Sequence, residues 1–137
     1  MQLLRIISSA ILGFTGLAVA ALDDICGPNG HANYKDGITT RNSPLYEDCE
    51  ALIASLKFVQ LTKDEQYKEY THGTCKMTFH LGSSDAMMIN HPSLVGLWNL
   101  ITPTCTAEFG NDPRWRIETF GDIICGRSVA NFEMISA

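Results

Sequence analysis

Cysteine is the residue type in this sequence whose chemistry depends most on its spacing. Successive cysteines are 23, 26, 30 and 20 residues apart. None forms the close CxxC pair that a structural zinc site normally uses, so the spacing predicts no metal site and no cofactor. The five cysteines are Cys26, Cys49, Cys75, Cys105 and Cys125.

Histidine and carboxylate side chains are the next candidates for acid–base chemistry. None of the four histidines has a partner at a known motif spacing, so we expect solvated imidazoles and no catalytic residue. Three acidic groups could supply the paired carboxylates of a glycoside hydrolase. They lie in polar stretches or at a predicted helix start, where capping and solubility explain them. The candidates are His31, His72, His80 and His91, and the acids Asp23, Asp24, Glu47, Asp48, Glu50, Asp64, Glu65 and Glu69.

One cluster combines basic and aromatic residues, at Arg114-Trp115-Arg116. It could contact an anionic surface or a glycan. Strand alternation, however, places Trp115 on the face opposite both arginines. We therefore expect Trp115, like Trp98, to lie in the core.

The first 21 residues have the pattern of a secretory signal peptide. Arg5 precedes an apolar stretch over residues 6–17, and Ala18-Val19-Ala20 fits the small-residue cleavage rule. We expect residues 1–21 to be removed and residues 22–137 to form one extracellular domain without stable membrane insertion. Acidic residues outnumber basic ones by 15 to 10, and the net charge of −5 disfavours a nucleic-acid partner.

Export makes disulfide bonds the expected fate of the cysteines. Because five is an odd number, at most two bridges form within the chain and one thiol is left over. Choosing the odd cysteine and pairing the other four allows 5 × 3 = 15 arrangements, and the sequence does not select among them.

Hydrophobic spacing predicts an α+β fold. Ser43 as N-cap and Pro44 predict a helix whose apolar stripe closes at Val59 or Gln60, and Pro92 opens a second helix that Pro103 ends. Strands are predicted over residues 74–81, 86–89, 114–120 and 128–134, the last with a bulge near Asn131. Gly121-Asp122 is predicted as a turn, residues 22–42 as loop-rich, and residues 62–72 as a short helix or a loop. We expect a small antiparallel sheet with two helices packed on one face.

Three local patterns occur together in the region after the signal. They are Ser43-Pro44 followed by Asp48-Cys49, Gly73-Thr74-Cys75 leading into a strand, and Gly121 followed by Cys125 and a short C-terminal strand. With Cys26, this order resembles the necrosis-inducing factor domain of fungal secreted effectors, from about Cys26 to Met134. The resemblance implies a cysteine-bridged extracellular domain, with an α/β-sandwich likeness to virus-encoded fungal killer toxins.

The resemblance also implies which cysteines form bridges, namely Cys26, Cys49, Cys75 and Cys125. Cys105 departs from the family pattern, and we expect an unpaired thiol in a monomer or, alternatively, an intermolecular disulfide in a dimer. The implied function is a non-enzymatic effector that acts on a host extracellular or membrane protein. The alternatives are a killer-type antifungal toxin acting on membrane channels and a small secreted hydrolase.

Overall fold

A computed structural model describes residues 30–137. The predicted signal peptide, residues 1–21, and Cys26 lie outside the described residues. The described chain is α+β, as predicted, and its strands pair antiparallel. The helices are α1 (Tyr46–Ser55) and α2 (His91–Cys105), and the strands are β1 (Gly30–Tyr34), β2 (Phe58–Leu61), β3 (Tyr67–His72), β4 (Cys75–Leu81), β5 (Met87–Asn90), β6 (Thr106–Phe109), β7 (Asp112–Ile117), β8 (Thr119–Cys125) and β9 (Ser128–Ser136).

Five strands form the main sheet in the order β1-β8-β9-β4-β3, and two further ribbons pair β2 with β5 and β6 with β7. Alternation along β4 and β9 gives the main sheet one buried apolar face. The opposite face, called the outer face below, carries polar and aromatic side chains. The buried face includes Cys75, Met77, Phe79, Phe132 and Met134.

Helix α1 begins two residues later than a Ser43 cap requires. Leu45 is the N-cap residue and offers no side-chain hydrogen bond. Ser43 is buried and instead donates to Glu118 Oε1 at 2.6 Å, so its hydroxyl is not available to a helix terminus. The helix ends at Ser55, and Val59, predicted to close its stripe, lies in β2 because pairing with β5 satisfies that backbone.

Helix α2 begins as predicted and ends later. The side chain of Asn90 accepts a hydrogen bond from Ser93 N at 2.9 Å, with Pro92 in the first turn. Pro103 does not end the helix, which continues to Cys105. Because Ile101 and Cys105 are buried, tertiary packing holds the last turn despite the missing proline N–H.

Other expectations about local structure are also wrong. Residues 67–72 form β3 rather than a helix or loop, and residues 30–34 of the predicted loop-rich segment form β1. Both are edge strands whose backbone is ordered by a neighbour that the local sequence does not reveal. Gly121 continues through β8 instead of turning, and the pairing of β9 passes Asn131 without a bulge.

A disulfide and a hydrogen-bonded carboxylate join α1 to the start of β4. Cys49 is bonded to Cys75, closing a separation of 26 residues. Next to this bond, Asp48 accepts hydrogen bonds from Thr74 N at 2.8 Å and from Thr74 Oγ1 at 2.7 Å. Both hydrogen bonds lower the pKa of Asp48 below its usual value, and the one from the Thr74 backbone has the larger effect. We call this junction the disulfide brace.

Among residues 30–137, neither helix is long and apolar enough to span a membrane.

Candidate functional site

The outer face of the main sheet contains a cleft of about 610 Å³. Strands β3, β4, β9 and β8 all contribute to it, so the site depends on the pairing of four strands that are distant in sequence. We call it the outer-face cleft. It is lined by Tyr67, Thr78, His80, Phe120, Gly121, Asp122, Asn131, Phe132 and Glu133.

Strand register arranges the cleft side chains in two rows that cross the sheet. In the first row, Tyr67 pairs with His80, His80 with Asn131, and Asn131 with Asp122. In the second row, Glu69 pairs with Thr78, Thr78 with Glu133, and Glu133 with Phe120. Each row therefore ends in one aromatic ring and one carboxylate, in opposite order.

Two exposed aromatic rings form the walls of the cleft. Tyr67 on β3 is 54% exposed and Phe120 on β8 is 49% exposed, although both belong to regular strands. Three strand spacings of about 4.8 Å and one row offset of about 6.7 Å separate their Cα atoms, which therefore lie about 16 Å apart. Each ring therefore leaves apolar surface in water beside the polar residues of the cleft.

Neutral donors hold the carboxylates of the cleft. Thr78 Oγ1 donates to Glu133 Oε1 at 3.1 Å, and Asn131 Nδ2 donates to Asp122 Oδ1 at 2.5 Å. The Tyr67 hydroxyl donates to Glu69 Oε1 at 2.9 Å. That hydrogen bond, and the charges of Glu69 and Glu133, raise the pKa of Tyr67 above its usual value.

A second exposed aromatic site lies on the ribbon formed by β6 and β7, which we call the Trp115 hairpin. Trp115 is 51% exposed, so the prediction that it lies in the core is wrong, whereas Trp98 is buried as predicted. The alternation was correct, but the ribbon is separate from the main sheet, and the face that carries Trp115 is not covered. Grooves of about 430 and 270 Å³ flank the ring, and Tyr46 lines both.

One carboxylate engages both arginines of the Trp115 hairpin. Arg114 donates to Asp112 through Nε at 2.9 Å and Nη2 at 3.0 Å. Arg116 donates to the same carboxylate at 3.2 Å and to the Ser43 carbonyl at 2.8 Å. The hydrogen bonds from Arg114 in particular hold the pKa of Asp112 far below its usual value.

The cysteines occupy distinct positions. Cys49 and Cys75 form the disulfide brace, and Cys125 is also disulfide-bonded. Cys26, the remaining member of the predicted bridging set, lies outside the described residues. Cys105 is a free thiol, 2% exposed at the end of α2, and burial raises its pKa.

Most of the other candidates from the sequence are dispersed. His31 and His72 are exposed away from the cleft lining, and His91 Nδ1 lies 2.7 Å from the Leu56 carbonyl oxygen. Within residues 30–137, no group of three or more histidine, cysteine or acidic residues is placed to hold a metal ion. Among those candidates, His80 lines the outer-face cleft and Glu69 adjoins it.

The other polar and aromatic residues of the cleft were not predicted from the sequence. Alternation along residues 128–134 does place Asn131 and Glu133 on the face opposite Phe132. Their neighbours Asp122 and Phe120 could not be found, because Gly121-Asp122 was predicted as a turn and strand order was unknown.

The chain matches no protein-family model and no curated protein.

Proposed function

We propose that this protein is a secreted, non-enzymatic effector that recognises a host extracellular or membrane protein and thereby promotes cell death or modulates immunity. The observation that carries the proposal is the outer-face cleft, in which exposed aromatic rings flank a polar floor on a regular sheet. Binding sites commonly combine such apolar walls with a few polar groups that fix orientation. The resemblance to necrosis-inducing factors supports the choice of a host target.

The proposal includes a division of labour between the two faces of the main sheet. Both helices would cover the buried face and leave the outer face free for a partner. The disulfide brace supports this arrangement, because it ties α1 to β4, the strand that supplies Thr78 and His80 to the cleft. A rigid sheet positions binding side chains more reliably than loops do.

The test uses protein purified from the medium of a secreting host and infiltrated into plant leaves. We expect wild-type protein to cause necrosis or to capture a host protein, and a Tyr67→Ala/Phe120→Ala variant to lose that effect. Phe58→Ala is the matched control, because Phe58 is 53% exposed on the β2–β5 ribbon, outside the cleft. Retention of the protein in the producing cell, or full activity of the double variant, would contradict the proposal. Inhibition of fungal growth without any plant response would instead favour a killer-type toxin.

A small secreted hydrolase is the second candidate, because Asp122 and Glu133 line one cleft. Neither acid belongs to the three acidic groups that the sequence suggested as paired carboxylates. A glycosidase needs one carboxyl kept protonated by burial, and Glu133 is exposed. Release of reducing sugars from plant or fungal cell-wall polysaccharides by wild-type protein, abolished in Asp122→Asn, would support this candidate.

A further inference from the structure

We propose that the occupant of the outer-face cleft is an extended basic peptide segment of the partner, whose lysine or arginine side chains face the sheet. This inference rests on the proposed function for its claim that the partner is a protein. The chemistry of the cleft itself determines the class of segment, through its charge and its dimensions.

Charge complementarity is the first argument. Glu69, Asp122 and Glu133 form no ion pair with a lysine or arginine in residues 30–137. Lys76 lies on the same face in the next row, diagonal to Glu133, and Lys35 lies beside Phe120, to whose carbonyl its N–H donates, so two cations accompany three carboxylates locally. A basic group entering the cleft would add charge-assisted hydrogen bonds to oxygens now held by neutral donors.

The aromatic walls favour the same kind of ligand. A cation over the face of an aromatic ring is attracted by the ring quadrupole, and the aliphatic part of a lysine or arginine side chain packs against apolar surface. Tyr67 and Phe120 each stand in the same row as a carboxylate and one row from another. An anionic or purely apolar ligand would desolvate these carboxylates without adding a cationic partner.

The dimensions favour an extended segment over a single small cation. The Cα atoms of Tyr67 and Phe120 lie about 16 Å apart, so one ammonium or guanidinium group does not bridge the two aromatic residues. In an extended chain, alternate side chains point to the same face about 6.7 Å apart, so three of them span about 13 Å. A segment with a basic residue at every second position would therefore reach both walls and the floor.

The experiment measures binding of a fluorescein-labelled Arg-Ser-Arg-Ser-Arg peptide by fluorescence anisotropy at low ionic strength, with a Glu-Ser-Glu-Ser-Glu peptide as the opposite-charge probe. Two variants of equal net charge are compared. Asp122→Asn/Glu133→Gln removes two cleft carboxylates, and Asp64→Asn/Glu108→Gln removes two exposed carboxylates that do not line the cleft.

We expect the basic peptide to bind and the acidic peptide not to bind. The cleft variant should weaken binding by about five- to tenfold, whereas the control variant should change it less than about twofold. Backbone NMR shifts of wild-type protein on peptide addition should concentrate in β4, β8 and β9, which tests the site without any variant. No binding, equal loss in both variants, or shifts centred on the Trp115 hairpin would overturn the inference. Peptide binding without any plant response would refute the proposed function alone.

Discussion

The outer-face cleft and the Trp115 hairpin both expose aromatic rings beside charged groups, but they satisfy those charges differently. In the hairpin, Asp112 is held by Arg114 and Arg116, so the charged groups serve one another. In the cleft, Asp122 and Glu133 accept hydrogen bonds from neutral side chains and form no ion pair among the described residues. The two sites therefore differ in what a ligand could add.

The two sites contain similar residue types, but they differ in whether their charged groups are available to a ligand. From the sequence, Arg114-Trp115-Arg116 was a candidate binding cluster because its basic and aromatic residues are adjacent. A bidentate pair such as Arg114 with Asp112 already uses the geometry that an anionic ligand would need. The cleft carboxylates form no ion pair with a lysine or arginine among the described residues, although such a cation would be their strongest partner. The cleft is therefore the better candidate for recognition.

Removing the disulfide brace should have the largest effect on stability. It should disturb the outer-face cleft rather than the Trp115 hairpin. Cys49→Ala/Cys75→Ala frees β4, which carries part of the cleft floor, whereas no strand of the hairpin is tied by this bond. For a loop of 26 residues the chain-entropy model predicts a loss of about 3.5 kcal/mol, or roughly 15–25 °C in Tm.

Thermal unfolding monitored by circular dichroism measures this loss. Cys105→Ala is the control, since it removes a buried free thiol but no cross-link and should cost only about 1–2 kcal/mol. Equal melting temperatures for the double variant and the wild type would mean that the Cys49–Cys75 bond does not stabilise the domain.

Gly121→Ala should have the second largest effect, because Gly121 brings two backbones together at the edge of the cleft. A Cβ on Gly121 would lie 1.9 Å from the carbonyl oxygen of Asn33 in β1. We expect a loss of about 2–3 kcal/mol in urea unfolding and weaker peptide binding as β1 moves away from β8. Gly126→Ala, where a Cβ meets open space and only the positive φ is strained, should cost about 1 kcal/mol. A smaller loss for Gly121→Ala than for Gly126→Ala would contradict this account.

The elements with strong local patterns were predicted well. Alternation from Cys75 to Leu81 and the apolar spacing of α2 both reflect contact with one core, which periodicity detects directly. Prediction failed where long-range pairing determined the structure. The strand β3 has no buried residue and owes its conformation to β4. Gly121 was predicted as a turn, although its missing side chain allows close strand packing.

The cleft was beyond the sequence for a related reason. Its two rows bring residues 67–69 beside residues 78–80, and residues 131–133 beside residues 120–122, through the order β8-β9-β4-β3. Alternation identifies which residues share a face of one strand, but it does not say which strands are neighbours. The sequence therefore indicates which face of its strand each side chain occupies, but not which residues of other strands lie next to it.

Removing the ion-paired carboxylate of Asp112 should distinguish the two sites through the pH dependence of stability. The pKa of Asp112 is lowered from its usual 3.8, mainly by Arg114, and that of Asp48 is lowered mainly by the Thr74 backbone. Below about pH 3.8 the unfolded chain binds more protons than the folded chain at these sites, so stability is present above that pH and is lost as the pH falls.

We therefore expect Asp112→Asn to lower Tm by a few degrees at pH 7 and to make less difference at pH 2. Asp122→Asn, which removes a cleft carboxylate that forms no ion pair with arginine, should change Tm less at pH 7. Differential scanning calorimetry at both pH values measures these shifts. A larger loss at pH 7 from Asp122→Asn than from Asp112→Asn would reverse our distinction between the two sites.

The smallest change in stability should come from the exposed rings themselves. Tyr67 and Trp115 are 54% and 51% exposed, so Tyr67→Ala and Trp115→Ala should each cost only about 1 kcal/mol, chiefly from lost apolar burial. Their effects on the basic peptide should nevertheless differ. Tyr67→Ala removes a cation–π partner and should weaken binding about two- to fivefold, whereas Trp115→Ala should leave it unchanged. If Trp115→Ala weakened binding as much as Tyr67→Ala, exposure of a ring rather than the carboxylates beside it would determine where this protein binds.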